Sequence, residues 1–318
     1  MRRTMALAGE DAERTRRERW GLLSGAAMAL GASLSFAAAR AGINGGLGAF
    51  DLIFARFIVA GAIMLPPLLL WGLRGFAGIG ARRALILTAL GGVPFALLQT
   101  GGYAFAPLAH GAVIAPSTVT IVATAGAALF LRERLGRAHL AGGAVVLAGI
   151  GLIGWDGIAH AAESGALTWL GDLLFFTSSL LWASFTLLIR HWRLSAIRVT
   201  AVVAVLSVVV STPAYLLVMG TAHLAALPLG VLAFQGLIQG GLQGVITMIA
   251  YGQAVVWLGV SRAVLFPAIV PAVSVLVGIP IVGEIPGVLQ IAGLGLVTVG
   301  LLTTTGVLGR LVARGRTP

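Results

Sequence analysis

The segment 110–152, HGAVIAPSTVTIVATAGAALFLRERLGRAHLAGGAVVLAGIGL, is repeated at 261–303 as SRAVLFPAIVPAVSVLVGIPIVGEIPGVLQIAGLGLVTVGLLT. A shift of 151 positions aligns the two segments without a gap, and they share small residues, a proline and a glutamate. The matched pairs are Ala112 with Ala263, Val113 with Val264, Pro116 with Pro267, Glu133 with Glu284, Gly136 with Gly287, Gly142 with Gly293, Val146 with Val297, and Gly149 with Gly300. The chain therefore contains an internal repeat.

The repeat extends upstream of this segment. Gly101 matches Gly252 at the same shift, and Gly21 matches Gly171 at a shift of 150. Each copy then comprises five apolar segments. Because an odd number of spans makes the second copy enter the membrane from the opposite side, the sequence predicts inverted repeats related by a pseudo-two-fold axis in the membrane plane.

The composition places these segments in a lipid bilayer. Of the 318 residues, 58% are hydrophobic and only 10% are charged, and the mean hydropathy is +1.02. Soluble proteins carry about 25% charged residues, so this chain has too little polar surface for a water-soluble globule. Its length accommodates about ten spans of about 20 residues joined by short loops.

We predict an all-α integral membrane protein with ten transmembrane helices arranged as two inverted five-helix repeats. Helices are expected because a spanning backbone must satisfy its own hydrogen bonds, and the sequence lacks the short alternating segments of a β-barrel. The expected organisation is a tail at 1–19, a first repeat at 20–155, a second repeat at 168–309 and a tail at 310–318. The predicted spans are 20–40, 50–71, 84–105, 110–131, 138–155, 168–190, 197–219, 229–257, 260–283 and 287–309.

The arginines predict the orientation. All 21 basic residues are arginine, and 19 of them fall in segments on the side of the N-terminus. Arg40 alone lies on the other side, and Arg56 lies within a span. The positive-inside rule then places both termini in the cytoplasm, and we expect a multi-pass protein of the inner membrane. The same distribution argues against nucleic acid as a partner despite the net charge of +11, and the absence of cysteine excludes thiol chemistry.

These features resemble the EamA-type permeases of the drug/metabolite transporter superfamily. The resemblance rests on the ten spans, the duplicated segments from Pro116 to Glu133 and from Pro267 to Glu284, Arg56 early in the second span, and the opening of the sixth span. It covers nearly the whole chain after residue 19. It implies a secondary carrier of small metabolites, often an exporter, with a substrate cavity lined by spans one to four and six to nine.

The candidate substrate-binding residues are polar or aromatic side chains within those spans. The eighth span carries a polar residue at every fourth position, which winds a stripe along one side of a helix. These side chains either line a cavity or form hydrogen bonds to neighbouring helices, and the sequence leaves both roles open. The same choice applies to the tyrosine of span three, the tryptophan of span six and a serine of span one. The candidates are Gln99, Tyr103, Trp182, Gln239, Gln243, Tyr251 and Ser35.

A second group is assigned to gating or structure. Arg56 is expected to pair near Asp51 or extend toward the interface, with a substrate carboxylate as the alternative. His110 is a candidate proton site, since proton-coupled carriers place such a group in the pathway. The two prolines serve as hinges or shape the helices, and the two glutamates close corners or take part in gating. The group is Arg56, His110, Pro116, Glu133, Pro267 and Glu284.

The cavity predicted from these residues suits a small amphipathic metabolite such as an amino acid. We expect no cofactor and no metal, with the small-molecule substrate and the lipid bilayer as partners, and either a monomer or a homodimer. A membrane-embedded enzyme is the main competing hypothesis, but the sequence contains neither HExxH nor GxSxG. A non-transporting scaffold and a channel also compete with the carrier hypothesis at this level.

Overall fold

A computed structural model describes residues 2–130, 136–164, 167–258, 263 and 265–304. Every regular element in these ranges is helical. The α-helices are α1 Arg2–Asn44, α2 Ala49–Trp71, α3 Ala81–Gly91, α4 Val93–Gly102, α5 Leu108–Phe130, α6 Arg137–Ser164, α7 Thr168–His191, α8 Ala196–Val218, α9 Gly220–Ala226, α10 Leu229–Gly236, α11 Thr247–Leu258, α12 Leu265–Val282 and α13 Val288–Thr304, and a π-helical segment, Leu237–Ile246, joins α10 to α11.

Eight helical segments are long and apolar enough to cross a membrane, and two further apolar helical stretches, Leu108–Val122 and Val288–Thr304, are shorter. Their outward faces carry large apolar side chains, such as Leu70 with 87% of its surface exposed and Leu217 with 86%. A water-soluble protein does not expose apolar surface on this scale. The chain is a multi-pass membrane protein. Eight of the ten predicted spans fall on these eight segments and the other two fall on the shorter stretches, so the count of ten stays a prediction.

The N-terminal tail predicted at 1–19 has no boundary with the first span. Helix α1 runs without interruption from Arg2 to Asn44, so the polar residues before Trp20 and the apolar residues after it belong to one helix. A helix that leaves the bilayer can continue in water where its residues favour helix, and this segment contains neither proline nor a run of turn residues.

Two predicted spans are locally irregular. The third is divided into α3 and α4 at Gly92, where a Cβ atom would lie only 2.4 Å from the Thr88 carbonyl oxygen and 2.5 Å from the Ser207 hydroxyl. Only glycine fits this approach of helix α8. The eighth widens into the π-helical segment, a feature often found at functional sites. The Thr247 hydroxyl follows the wider turn and donates to the carbonyl of Leu242, five residues earlier.

The packing of the helices follows the internal repeat. Helix α1 of the first half packs on α12 of the second, and the corresponding helix α7 packs on α5. The second helix of each half meets its counterpart, α2 on α8, and the last helices do the same, α6 on α13. Exchange of the two halves therefore maps the α1–α12 contact onto the α7–α5 contact and maps α2–α8 and α6–α13 onto themselves, which is the arrangement a two-fold axis requires.

A seam of glycines holds α6 against α13. A Cβ at Gly142 would lie 2.6 Å from the carbonyl oxygen of Gly300, and one at Gly149 would lie 2.7 Å from that of Gly293. Small residues at such positions let two helix backbones approach closely in a membrane. The glycine pattern of spans five and ten is therefore used for packing within the chain.

Candidate functional site

A cavity of about 840 Å³ lies between the two halves of the chain. We call the side where α1 begins the near side and the side where it ends the far side. The cavity reaches the near side at Ala138, Thr200 and Thr304, which lie at the near ends of α6, α8 and α13. It extends into the far half to Tyr103 at the end of α4. Its volume is that of a site for a small organic ligand.

The polar stripe of the eighth span divides into two parts. Toward the far side, the amide nitrogens of Gln235 and Gln239 donate to the carbonyl oxygens of Ala38 and Ser35 in α1, at 2.8 and 2.7 Å. These two residues attach the span to α1. Toward the near side, Gln243 and Tyr251 line the cavity, and the buried amide oxygen of Gln243 has no hydrogen-bond partner among the described residues. Gln239 also lines the cavity.

Gln99 and Tyr103 both line the cavity from α4 and the residue that ends it. The one proton of the Ser178 hydroxyl is shared between the amide oxygen of Gln99 at 2.7 Å and the carbonyl oxygen of Phe175 at 2.8 Å, and this hydroxyl does not contact the Gln99 amide nitrogen. Neither that nitrogen nor the Tyr103 hydroxyl has a partner among the described residues. The ring of Tyr103 is only 1% exposed and packs edge-on against Phe175, with 4.8 Å between centroids. Buried polar atoms without partners are rare and call for an explanation.

One wall of the cavity is aromatic. Trp182 lines the cavity from α7, and its ring lies 4.7 Å from that of Phe95 and 4.9 Å from that of Phe185, measured between centroids. All three residues line the cavity. Such a wall supplies a large apolar contact area for a ligand.

Arg56 faces the cavity from the second turn of α2. Arg56 does not pair with Asp51, which was one of the roles open for it, because the Asp51 carboxylate contacts other groups. It accepts hydrogen bonds from the Tyr215 hydroxyl at 2.6 Å and from the backbone nitrogen of Gly48 at 2.7 Å, and His223 Nε2 lies 3.0 Å away. Among the described residues, no carboxylate forms an ion pair with Arg56.

Ser35 and His110 do not belong to the described lining of the cavity. The Ser35 hydroxyl is buried and donates to the carbonyl of Gly31 at 2.9 Å, with that of Ile238 at 3.3 Å. These contacts favour a packing role for Ser35. Pro116 and Pro267 do line the cavity, at equivalent positions of the two repeats. Pro116 lies inside α5, whereas Pro267 lies in the first turn of α12 and does not interrupt that helix.

Glu284 holds together a corner on the far side, which we call the Arg40 corner. Its carboxylate accepts from Arg40 Nε at 2.6 Å and from the backbone nitrogen of Leu108 at 2.7 Å. Arg40 Nη1 also donates to the carbonyl oxygen of Tyr103. The corner thus joins the ends of α1 and α4, the start of α5 and the segment after α12. The matching residue of the first repeat, Glu133, lies outside the described residues.

His110 belongs to a second polar cluster, which we call the His110 cluster. Its Nδ1 lies 2.7 Å from an Asp172 oxygen and its Nε2 lies 3.4 Å from an Asp156 oxygen. Gln290 donates to the same Asp156 oxygen at 2.8 Å. The imidazole is fully buried and links α5, α6, α7 and α13. Within the described ranges, no group of three His, Asp or Glu side chains is arranged to hold a metal ion.

Several residues that were not among the predicted site residues form the polar contacts on the far side. Asp51, Tyr215 and His223 form a third cluster, which we call the Asp51 cluster, and Arg40 anchors the Arg40 corner. Arg40 had a signal in the sequence, since it is the single arginine on the side that is poor in arginine. Asp156, Gln290 and Tyr215 gave no signal, because nothing in their local sequence shows which distant residue they meet.

A comparison with known protein families identifies the same two halves of the chain. The model of a family described as "EamA-like transporter family" matches residues 19–155 and again 169–306, which confirms the resemblance read from the repeated segment. A solved structure described only as "Crystal structure of protein" is similar to the chain with a TM-score of 0.60 and 18% identity, covering 94% of this chain and 99% of that one. At this identity the likeness shows the fold alone. No curated protein matches the chain.

Proposed function

The chain belongs to the EamA-like transporter family, and from that premise we propose that it is a secondary transporter that moves a small amphipathic metabolite across the inner membrane. Its two repeats act by alternating access, each conformation opening the cavity to one side. The observation that carries this proposal is a cavity lined by both halves, which among the described residues reaches the near-side helix ends and ends on the far side at the buried Tyr103.

The distribution of polar contacts supports alternating access. On the far side, the Arg40 corner, the His110 cluster and the Asp51 cluster tie helix ends from both repeats together. On the near side, the cavity reaches the helix ends at Ala138, Thr200 and Thr304. Because the repeats are equivalent in sequence and packing, the opposite arrangement, closed on the near side, is accessible by exchange of their conformations.

The arginines support the orientation and the site in the cell. With 19 of 21 arginines in near-side segments, the near side faces the cytoplasm and both termini lie there. The cavity is then open to the cytoplasm. An inward-open cavity collects a cytoplasmic solute and suits export, which is the direction we propose.

The lining supports an amphipathic solute. Amide, hydroxyl and aromatic groups share the cavity with many apolar side chains, as in sites for drug-sized ligands. An amino acid is one solute of this kind. A nucleotide is disfavoured, because its phosphates need several basic side chains and Arg56 is the sole lysine or arginine among the described lining residues.

Counterflow in liposomes tests the proposal. Full-length protein is reconstituted and labelled solutes from a panel of amino acids and organic acids are added outside, with the same unlabelled solute inside or absent. We expect uptake of at least one solute to saturate with concentration and to accelerate when the vesicles are preloaded. Flux that rises linearly without acceleration identifies a channel, and no flux for any member of the panel contradicts transport of this class of solute.

A further inference from the structure

The charges of the cavity are unevenly distributed. The described lining contains no aspartate, glutamate or lysine, and Arg56 is its only permanent charge. His139 is the other titratable cation of the lining, and it lies exposed at the near-side mouth. The far half of the cavity therefore carries a single fixed positive charge within an otherwise neutral surface.

Arg56 lacks the partner that such a charge requires. Its nearest acidic residue in sequence, Asp51, already accepts from Tyr215 and Gly48 and lies beside His223. The guanidinium carbon lies 5.8 Å from the centroid of the Phe57 ring, which is a weak interaction. A charge inside a membrane is costly without a counter-ion, so intramembrane arginines normally pair or mark a substrate pathway.

Two further donors in the same half of the cavity are free. The Gln99 amide nitrogen and the Tyr103 hydroxyl have no partner among the described residues, and both side chains are more than nine-tenths buried. Helix α4, which carries Gln99, packs on α2, which carries Arg56. Three unoccupied donors and no carboxylate are complementary to an anionic acceptor.

The rest of the cavity defines the body of the ligand. Phe95, Trp182 and Phe185 form the aromatic wall, and Phe57 packs in one apolar cluster with residues of α4. A planar or branched apolar group fits against this surface. Once an anionic group of the ligand pairs with Arg56, a second charge on the ligand finds no opposite charge among the described lining residues. None of these residues is acidic, and they include no other arginine or lysine.

We propose that the transported solute is a monocarboxylate with an aromatic or branched apolar body, whose carboxylate pairs with Arg56 and whose body lies against Phe95 and Trp182. This inference rests on the proposed transport function and narrows its substrate class. It favours an acid without an ammonium group over a zwitterionic amino acid, since the ammonium would lose its water without gaining a carboxylate.

Four probes of matched size test the inference: 3-phenylpropionate, its neutral amide 3-phenylpropionamide, the amine 3-phenylpropylamine, and phenylalanine. Their binding to the full-length protein in lipid nanodiscs is measured by calorimetry at neutral pH. We expect 3-phenylpropionate to bind about 10- to 100-fold more tightly than the amide, which is the range for a hydrogen-bonded charge pair. The amine and phenylalanine are expected to bind more weakly than the acid.

Variants of Arg56 connect that preference to the residue. Arg56→Met should reduce the affinity for the acid to that for the amide, and Arg56→Lys should retain part of the difference, because lysine keeps the charge without the planar pair of donors. Arg74→Met, at an exposed loop position, is the matched control and should bind as the unsubstituted protein does. The inference is overturned if the unsubstituted protein binds the amide as tightly as the acid. It is also overturned if the Arg56→Met variant keeps the preference for the acid.

The same probes separate this inference from the proposed function. Binding of 3-phenylpropionate through Arg56 without counterflow in liposomes contradicts transport and leaves the recognition intact. Counterflow of other solutes, with no binding of 3-phenylpropionate, overturns the inference and leaves transport intact.

Discussion

Arg40 and Arg56 lie on consecutive helices in the far half of the molecule, and their surroundings differ completely. Arg40 donates to Glu284 and to the Tyr103 carbonyl, and Glu284 in turn accepts from Leu108. Arg56 faces the cavity and has no ion-pair partner among the described residues. The contrast shows that location in the far half of the molecule does not by itself determine what an arginine does. The hydrogen bonds already made by its neighbours determine whether it holds helices together or is available to a ligand.

The largest effect is expected at Arg40, whose side chain already has hydrogen-bond partners. Arg40→Met leaves the Glu284 carboxylate with one backbone donor and no cation, and we expect it to lower the free energy of unfolding by about 2 kcal/mol, between the values for exposed and buried pairs. Thermal unfolding in detergent, with Arg74→Met as the control, measures the change. A variant as stable as that control would remove the Arg40 corner from the groups that hold the far side closed.

The His110 cluster is a second group of polar side chains that already have hydrogen-bond partners. Asp172→Asn replaces the carboxylate that lies 2.7 Å from His110, and we expect a loss of about 1–2 kcal/mol in stability. Ligand affinity should stay unchanged, because neither residue belongs to the described lining. Binding that weakens in this variant, at equal folded fraction, would show that the cluster acts on the cavity.

Gln239 and Gln243 make the same distinction within one polar stripe. Gln239→Ala removes a hydrogen bond to α1, so we expect stability to fall by about 1 kcal/mol with little change in affinity. Gln243→Ala removes a side chain whose oxygen has no partner among the described residues. Its stability should stay unchanged while affinity for a transported solute falls about two- to tenfold. The reverse pattern in unfolding and binding measurements would exchange the roles of the two glutamines.

The smallest expected effect is the stability of Arg56→Met without ligand. Because the arginine has no carboxylate partner among the described residues, its removal should leave the free energy of unfolding unchanged or raise it by up to about 0.5 kcal/mol. This result differs from the loss expected for Arg40→Met. A loss as large as that of Arg40→Met in the same unfolding assay would show that Arg56 is part of the framework.

The fold was predictable because its signals are long and repeated. Apolar runs of span length predicted helices. The match of Pro116 to Pro267 and of Gly142 to Gly293 predicted two equivalent halves. The break at Gly92 and the π-helical segment were not predictable, because each depends on a neighbouring helix: Gly92 faces Ser207, and Gly240 lies against the backbone of Arg56.

The candidate site was predictable in residue type and less so in role. Gln99, Tyr103, Trp182, Gln239, Gln243 and Tyr251 all line the cavity, since polar or aromatic side chains inside a span must face something other than lipid. Their hydrogen bonds were not predictable, because the partner of Gln239 is Ser35, more than 200 positions away. For the same reason the sequence left a pairing of Arg56 with Asp51 open, whereas Tyr215 and His223 contact that carboxylate in the structure.

Obstruction of the cavity tests the central claim, that solute passes between the two repeats, most directly. Val119→Trp places a large ring in the cavity from α5, and Val209→Trp places the same ring on an outward face of α8, where the valine is 64% exposed. We expect saturable counterflow of the transported solute in liposomes to be lost in Val119→Trp and kept in Val209→Trp, with both variants folded. Equal counterflow in the two variants would contradict passage through this cavity.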